Sequence, residues 1–252
     1  MIEKRKRILL TGATSGLGKS LADALLTEGH EVTVTGRNTS ALSQLKLQGG
    51  CIAAWDMLEQ KEEAEWPVEV KGEFDIVILN AGVGYFKEHT ALSPEEIHEM
   101  LTVNVELPML LSRYHSKLFQ KRGMGQLVFI GSLAGRMASP KASVYAATKH
   151  ALTGYVQGLR MELMGSGVDV TIVQPGPIDT PFIDKADESG TYKKSLGKHL
   201  LSIETVRDVV LEQLERPQGE VLVPRHLGIG AKLTQLVPLQ FERFGRSIYA
   251  KK

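Results

Sequence analysis

The sequence predicts an α/β protein in which about seven parallel strands form one doubly wound sheet with helices on both faces. Short apolar segments rich in β-branched residues alternate with longer helix-forming segments. Segment 74–79 is apolar almost throughout, as in a parallel strand covered on both faces. The first strand runs into a glycine-rich turn and then a helix. A chain of 252 residues, 42% hydrophobic and 23% charged, suits one domain, expected to cover residues 1–252.

The composition and the charge disfavour several classes of protein, including nucleic-acid-binding and membrane-spanning proteins. Thirty basic residues nearly balance 29 acidic residues, and the net charge of +1 gives no reason to expect a nucleic acid partner. Cys51 is the single cysteine, which excludes an internal disulfide and favours a reducing compartment. The apolar run Ile8–Leu10 is too short for a signal peptide or a membrane span. We therefore expect a cytoplasmic protein, a membrane partner is disfavoured, and we predict no metal site.

The first strand, 7–11, leads into a glycine turn and a helix over 19–28 that stops at Gly29. Glycine allows the backbone to approach a pyrophosphate closely, and the positive end of the helix attracts it. This arrangement predicts nucleotide binding by Gly12, Thr14, Ser15, Gly16, Leu17 and Gly18.

The second strand, 31–35, ends in Gly36-Arg37, where an NAD site would carry an acidic residue for the ribose hydroxyl. A guanidinium suits a 2′-phosphate instead, and Gly36 leaves room for it. We therefore predict NADP as cofactor, with NAD possible; the alternative is a solvated arginine. A helix over 40–47, a third strand over 51–55 and a surface crossover over 59–70 follow.

The fourth strand, 74–79, ends in small residues that would let a flat ring lie against the sheet. Ser93 and Pro94, with a glutamate at the capping-box position, predict the start of a helix. This helix carries Asn104, which is either a satisfied core amide or a functional group. Pro108 predicts a kink or a break near Leu107.

The fifth strand, 126–130, leads to Ser132, and a long helix over about 145–164 starts with Tyr145. Lys149 lies one turn after Tyr145, and an ammonium beside a phenol lowers the tyrosine pKa from its ordinary value of about 10. Tyr145 then suits proton transfer, and Ser132 could hold the oxygen that it protonates. The alternative is a chance helical pair.

A sixth strand over 168–173, a proline-rich turn, a substrate loop over 181–202, a helix over 203–215 and a seventh strand over 220–224 complete the sheet. The tail, 225–252, would cover the last strand or the substrate mouth, with Phe241, Phe244 and Ile248 on the buried side of a final helix. A stripe of small residues lies on the helix that carries Tyr145: Ala147, Ala151, Gly154 and Gly158. We expect a homodimer, or another homo-oligomer, through this helix and the one that carries Asn104.

Four motifs in this order resemble the short-chain dehydrogenase/reductase family, in its shorter branch, from Lys6 to about Pro224. They are the turn Thr-Gly-x-x-x-Gly-x-Gly at 11–18, Asn-Ala-Gly at 80–82, Ser132 thirteen residues before Tyr145, and the loop Pro175–Thr180. The resemblance implies a Rossmann fold and a catalytic tetrad of Asn104, Ser132, Tyr145 and Lys149.

The resemblance also implies hydride transfer between a nicotinamide and a carbonyl or alcohol carbon. Tyr145 would act as acid or base, Ser132 would polarise the oxygen, and Asn104 would help to carry the proton away through water. Further implied cofactor contacts are Asp56 at the adenine, Asn80, Ala81 and Gly82 along the adenosine ribose, Tyr145 and Lys149 at the nicotinamide ribose, and Pro175, Ile178 and Thr180 at the carboxamide.

Three alternatives remain open. A non-catalytic nucleotide-binding sensor or scaffold is disfavoured by the intact Ser132, Tyr145 and Lys149. An epimerase or dehydratase of the longer nucleotide-sugar branch is disfavoured by the glycine spacing. A membrane-surface reductase of lipid-like carbonyls would use the tail as an amphipathic anchor.

The small-molecule substrate is left open. Side chains that would suit an apolar carbonyl compound are Val83, Tyr85, Phe86, Met137, Phe182 and Tyr192. Those that would suit an acidic one are Lys185, Lys193, Lys194 and Lys198.

Overall fold

The computed structural model describes residues 5–60, 62–187, 190, 193–194, 200–236 and 239, and within these ranges seven strands form one parallel sheet. The order β3-β2-β1-β4-β5-β6-β7 confirms the predicted doubly wound topology. Because the chain reverses its direction of winding between β1 and β4, a crevice forms there at the carboxyl edge. The strands are β1 Arg7–Leu10, β2 Glu31–Gly36, β3 Cys51–Ala54, β4 Ile76–Leu79, β5 Gly125–Ile130, β6 Val168–Pro175 and β7 Glu220–Val223.

Helices cover both faces of this sheet, and every residue of β4 is buried, which explains its apolar sequence. Leu9 and Val77 face one core, whereas Ile8 and Ile78 face the other. The described α-helices are α1 Gly16–Thr27, α2 Thr39–Leu47, α3 Pro94–Leu101, α4 Leu107–Arg122, α5 Ser143–Glu162, α6 Pro181–Ala186, α7 Ile203–Glu215 and α8 Arg225–Thr234. No helix in the described ranges is long and apolar enough to cross a membrane.

Helix α3 begins as predicted. The Ser93 hydroxyl accepts a hydrogen bond from Glu96 N, and the Glu96 carboxylate accepts one from Ser93 N. Of the kink or break predicted near Leu107, a break does not occur, because a π-helical turn, Thr102–Glu106, joins α3 directly to α4. The change from π-helix to α-helix falls at Leu107. Pro108 lies in the first turn of α4, where a missing backbone N–H is tolerated.

Two segments predicted as loops contain more order. The crossover over 59–70 buries Trp66, whose ring centroid lies 5.8 Å from that of Trp55, so this segment extends the core as well as crossing the surface. The substrate loop over 181–202 starts with helix α6. Pro181 in the first turn of α6 is already set to a helical φ.

The described part of the tail forms α8, which packs against β7. A Cβ at Gly228 would lie 2.3 Å from Leu222 Cβ, so the helix backbone approaches the strand closely. Lys232 Nζ donates to Glu220 Oε2 at 2.6 Å. Phe241, Phe244 and Ile248, predicted for a final helix, lie outside the described residues.

Gly228 and Gly230 provide a matched pair of substitutions in α8. We expect Gly228→Ala to loosen α8 from β7, because overpacking of this kind costs about 1–3 kcal/mol. Gly230→Ala should instead stabilise the helix by about 0.5–1 kcal/mol, since no described atom lies within 4 Å of its Cβ position. The rate of tryptic cleavage within α8 measures both effects. Equal rates in the two variants would contradict close packing at Gly228.

Candidate active site

The glycine turn between β1 and α1 forms a cradle at the carboxyl edge of the sheet. Gly12 and Gly16 have φ values of +69° and +53°, which favour glycine. A Cβ at Gly18 would lie 2.1 Å from Gly12 O, a separation that no side chain permits. Within the described residues the Ser15 side chain does not cap α1, so the first-turn N–H groups remain open to an anion. This cradle fits the pyrophosphate of a dinucleotide.

Thr11 and Asn80 fix this cradle to the end of β4. The Thr11 hydroxyl accepts hydrogen bonds from Asn80 N at 3.0 Å and Ala81 N at 3.1 Å. Asn80 Nδ2 donates to Thr11 O and Gly12 O. The Asn80 amide nitrogen therefore holds the turn in place, in addition to the ribose contact that the resemblance implies. Sequence reasoning missed this role of Thr11, although its position directly before Gly12 was a visible signal.

Arg37 and Asp56 lie at the end of the cavity beyond β2 and β3. Asp56 Oδ1 accepts from Leu58 N at 2.9 Å, which fixes the carboxylate. A Cβ at residue 36 would lie 2.4 Å from Thr14 Cγ2, so the Thr14 methyl group occupies the space beside Gly36. The interpretation that Gly36 leaves room for a phosphate is therefore incomplete, because Gly36 is also required by Thr14.

Lys149 lies on α5 one turn after Tyr145. Its Nζ donates to Ile130 O at 3.1 Å and lies 5.8 Å from the centroid of the Tyr145 ring. The residue is only 4% exposed. Burial disfavours the ammonium and lowers the pKa of Lys149 from 10.5 to about 8. Lys149 can therefore gain or lose a proton close to neutral pH.

Asn104 projects from the π-helical turn and is 1% exposed. Its Oδ1 accepts from Val83 N at 2.9 Å, and its Nδ2 donates to Val83 O at 2.8 Å and to Thr148 Oγ1 at 3.1 Å. These bonds tie the segment after β4 to α5. A Cβ at Gly82 would lie 3.3 Å from Asn104 Oδ1 and 3.8 Å from Lys149 Nζ, so Gly82 keeps this junction compact.

Ser132 follows β5 and caps a short 3₁₀ turn, Leu133–Gly135. Its hydroxyl oxygen accepts from Ala134 N at 3.1 Å. This bond orients the side chain without using the hydroxyl hydrogen, which can be donated to a substrate oxygen.

Aromatic rings surround Tyr145. The Phe86 and Phe182 centroids lie 5.4 Å and 5.8 Å from that of Tyr145, and 6.3 Å from each other. Helix α8 adds a wall that sequence reasoning did not assign to particular residues: His226, Leu227, Gly230, Ala231 and Thr234. Two aromatic rings therefore lie beside Tyr145, and α8 adds further apolar side chains to the wall of the same cavity.

The candidate substrate residues have four different placements. Those that line the cavity are Val83, Tyr85, Phe86, Met137, Phe182 and Lys185. Lys193 instead forms ion pairs with Asp179 and Asp184, at 3.0 Å and 2.9 Å. Lys194 is exposed and is not among the described lining residues. Tyr192 and Lys198 lie outside the described residues.

One cavity of about 980 Å³ brings nearly all of the predicted site residues together. Ser132 and every predicted cofactor residue line it, including those at the ends of β1, β2, β3, β4 and β6. Asn104 is not among its described lining residues and lies behind Gly82 and Val83. Glu99 lines the cavity and was not predicted from the sequence.

Comparison with known proteins agrees with this geometry. A family model described as short chain dehydrogenase matches residues 6–190. The uncharacterized oxidoreductase YxnA of Bacillus subtilis is 30% identical over 261 residues, which cover 97% of this chain and 72% of that protein. The closed form of serine dehydrogenase complexed with NADP+ is 27% identical with a TM-score of 0.75, covering 86% of this chain and 93% of that one. A short-chain dehydrogenase from Sphingobium yanoikuyae in complex with NADPH is 25% identical with a TM-score of 0.76, covering 95% and 94%.

The buried Lys149 should make stability depend on pH. Below about pH 8 the folded protein carries a buried ammonium, whereas above the unfolded pKa of 10.5 the amine is neutral in both states. Between these values the unfolded chain binds more protons, so the stability of the parent protein rises with pH. We expect Lys149→Met to be about 1–3 kcal/mol more stable than the parent at neutral pH, with a gain that shrinks towards about pH 10.

Urea denaturation at several pH values measures this gain. Lys117→Met, at an exposed position on α4, is the matched control and should show no such trend. If Lys149→Met were less stable than the parent by the same amount at every pH, the bond to Ile130 would outweigh the cost of burying the charge.

Proposed function

The chain belongs to the short-chain dehydrogenase/reductase family, and we propose that it transfers a hydride between NADP(H) and a carbonyl or secondary alcohol substrate. The observation that carries the proposal is the presence of Ser132, Tyr145 and Lys149 in one cavity with the glycine cradle. A non-catalytic sensor or scaffold would need the cradle but not a buried lysine beside a tyrosine.

In this proposal the chain's own residues handle the proton. The nicotinamide, when bound, supplies or accepts the hydride. The Tyr145 hydroxyl gives its proton to the carbonyl oxygen during reduction and takes it back during oxidation. The Ser132 hydroxyl donates a hydrogen bond to the same oxygen and so stabilises the charge that develops there.

Lys149 and Asn104 support Tyr145 in different ways. The Lys149 ammonium favours the phenolate form of Tyr145. The lowered pKa of Lys149 also makes it easier for this ammonium to release a proton. Asn104 acts as a positioning residue, because its hydrogen bonds to Val83 and Thr148 hold α5 against the segment after β4. Relay of the proton through water beside Asn104 remains part of the proposal.

The preference for NADP(H) over NAD(H) rests on Arg37, which lines the cavity at the end of β2 where an NAD site would have a carboxylate. Two similar solved proteins hold NADP+ or NADPH and another, of lower identity, holds NADH, so the comparisons support a nicotinamide cofactor without favouring either form. NAD(H) remains the second cofactor of the proposal.

For the substrate we propose a carbonyl compound with an apolar or aromatic group. The rings of Phe86 and Phe182 stand beside Tyr145, and Leu227 and Ala231 of α8 face the same cavity. A compound of this kind would gain roughly 25 cal/mol for each Å² of apolar surface buried there.

The assembly that we propose is a cytoplasmic homodimer or larger homo-oligomer through α4 and α5. Ala147, Ala151 and Gly154 are exposed on the outer side of α5, and no described atom lies within 4 Å of the Cβ position of Gly154. A partner helix could therefore approach this surface closely.

Tyr145→Phe should abolish turnover and leave nucleotide affinity nearly unchanged, because the ring remains while the proton donor is removed. General acid–base catalysis supplies about 10²–10⁴-fold in rate, so a loss of at least this size is expected. Tyr155→Phe removes a hydroxyl from the same helix and is the matched control, since Tyr155 hydrogen-bonds to Ser112 and is not among the described lining residues.

Nicotinamide absorbance in a screen of carbonyl and alcohol substrates with both cofactors measures this turnover. A Tyr145→Phe protein within tenfold of the parent rate would show that another group moves the proton.

Arg37→Ala should weaken NADPH binding and leave NADH binding unchanged. A charge-assisted contact to phosphate contributes about 1.5–3 kcal/mol, and since the Arg37 side chain is 58% exposed the lower end applies, about tenfold. Arg113→Ala, at an exposed position on α4, is the control. Equal kcat/KM values for NADPH and NADH in the parent protein, together with unchanged NADPH binding in Arg37→Ala, would mean that Arg37 does not bind the phosphate.

A further inference from the structure

A carboxylate faces Arg37 at the adenosine end of the cavity. Arg37 Nη1 lies 3.6 Å from Glu99 Oε1, and both residues line the cavity. Glu99 lies near the end of α3, far from Arg37 in sequence, so the pair forms only in the folded protein. The two side chains differ in freedom, because Arg37 is 58% exposed whereas Glu99 is 17% exposed.

Tyr85 holds the Glu99 carboxylate in place. The Tyr85 hydroxyl donates to Glu99 Oε2 at 2.5 Å. This bond, together with partial burial, raises the pKa of Tyr85 to about 12, so the phenol stays a hydrogen-bond donor at neutral pH. Lys87, two residues after Tyr85, forms an ion pair with Glu96. The Glu99 carboxylate is therefore held at the cavity wall, and Arg37 is the more exposed partner of the pair.

This arrangement opposes the binding of a 2′-phosphate in two ways. Arg37 must give up some of its interaction with Glu99 in order to contact a phosphate. A phosphate within reach of Arg37 would also lie near the Glu99 carboxylate, and like charges repel. A ribose with a free 2′-hydroxyl meets neither penalty.

We propose that Glu99 is a specificity-determining residue that restrains the preference for 2′-phosphorylated nucleotides by pairing with Arg37 and placing a second negative charge beside the phosphate position. The inference deepens the proposed use of NADP(H) and rests on the same cavity. It gives the site a cation and a counter-charge, so both cofactor forms are accepted and the balance between them is set by two residues.

Calorimetric binding of adenosine 2′,5′-bisphosphate and of AMP tests the proposal without any turnover. Glu99→Gln keeps the shape of the side chain and removes its charge. We expect it to strengthen binding of the bisphosphate about two- to fivefold, the range of exposed ion pairs, and to leave AMP binding unchanged. Glu99→Ala, as a second variant, should change the ratio of the two affinities in the same direction.

Glu63→Gln is the matched control. Glu63 pairs with exposed Arg113 at 3.1 Å and is not among the described residues that line the cavity, so the same change of charge should alter neither affinity. An unchanged or reduced ratio of bisphosphate to AMP affinity in both Glu99 variants would overturn the role of Glu99.

The parent protein and Arg37→Ala separate this result from the cofactor proposal. If the parent binds both ligands equally and Arg37→Ala has no effect, the proposed preference for NADP(H) fails. A preference that appears only in Glu99→Gln would then still support the restraint by Glu99.

Discussion

The close approach of the glycine turn to the end of β4 is the constraint on which the whole site depends. A Cβ at Gly12 would lie 2.8 Å from Ala81 Cα, and one at Gly18 would lie 2.1 Å from Gly12 O. Glycine at both positions lets Thr11 hold the backbone of Asn80 and Ala81. Because β1 and β4 are neighbours where the winding reverses, this junction forms the floor of the crevice, and α1, Arg37 and Asn104 are all placed relative to it.

A second close contact sets Ser132 against α5. A Cβ at Gly135 would lie 2.6 Å from Lys149 O, so the turn that follows Ser132 rests directly on the helix backbone. The same packing buries Lys149 and lowers its pKa, which opposes folding at neutral pH. The hydrogen bond to Ile130 offsets part of this cost, and apolar packing in the cores on either side of the sheet must offset the rest. A group that is expensive to bury and shares a cavity with Ser132 and Tyr145 is better explained by chemistry than by stability, which supports the proposed role of Lys149.

Local patterns were enough to predict the strands, the Ser93 cap and the spacing of Tyr145 and Lys149, because each depends on neighbours within one or two turns. The errors arose where distant contacts decide the structure. Asn104 bonds to Val83 from within the π-helical turn, and the sequence predicted a kink or a break near Leu107 but not this turn. Trp66 is buried because its ring packs against Trp55 and Tyr114, and neither contact can be predicted from the sequence alone. The residues predicted to bind a cofactor line one cavity because strand ends in a parallel sheet meet at one edge.

The selectivity for a cofactor is harder to predict from the sequence than the positions of the site residues, because it too depends on contacts between distant segments. Arg37 is visible from the sequence, since the end of β2 is a known place for a ribose contact. Glu99 belongs to a helix that folds back over the cavity, and its charge reaches Arg37 only through tertiary structure. In the proposed site, the binding energy of a 2′-phosphate would be the difference between its attraction to the guanidinium and its repulsion by the carboxylate, with part of the guanidinium already paired with Glu99. The sequence motif that supplies Arg37 therefore predicts which cofactor is preferred. The strength of that preference depends on Glu99, the negative charge that the fold places beside Arg37.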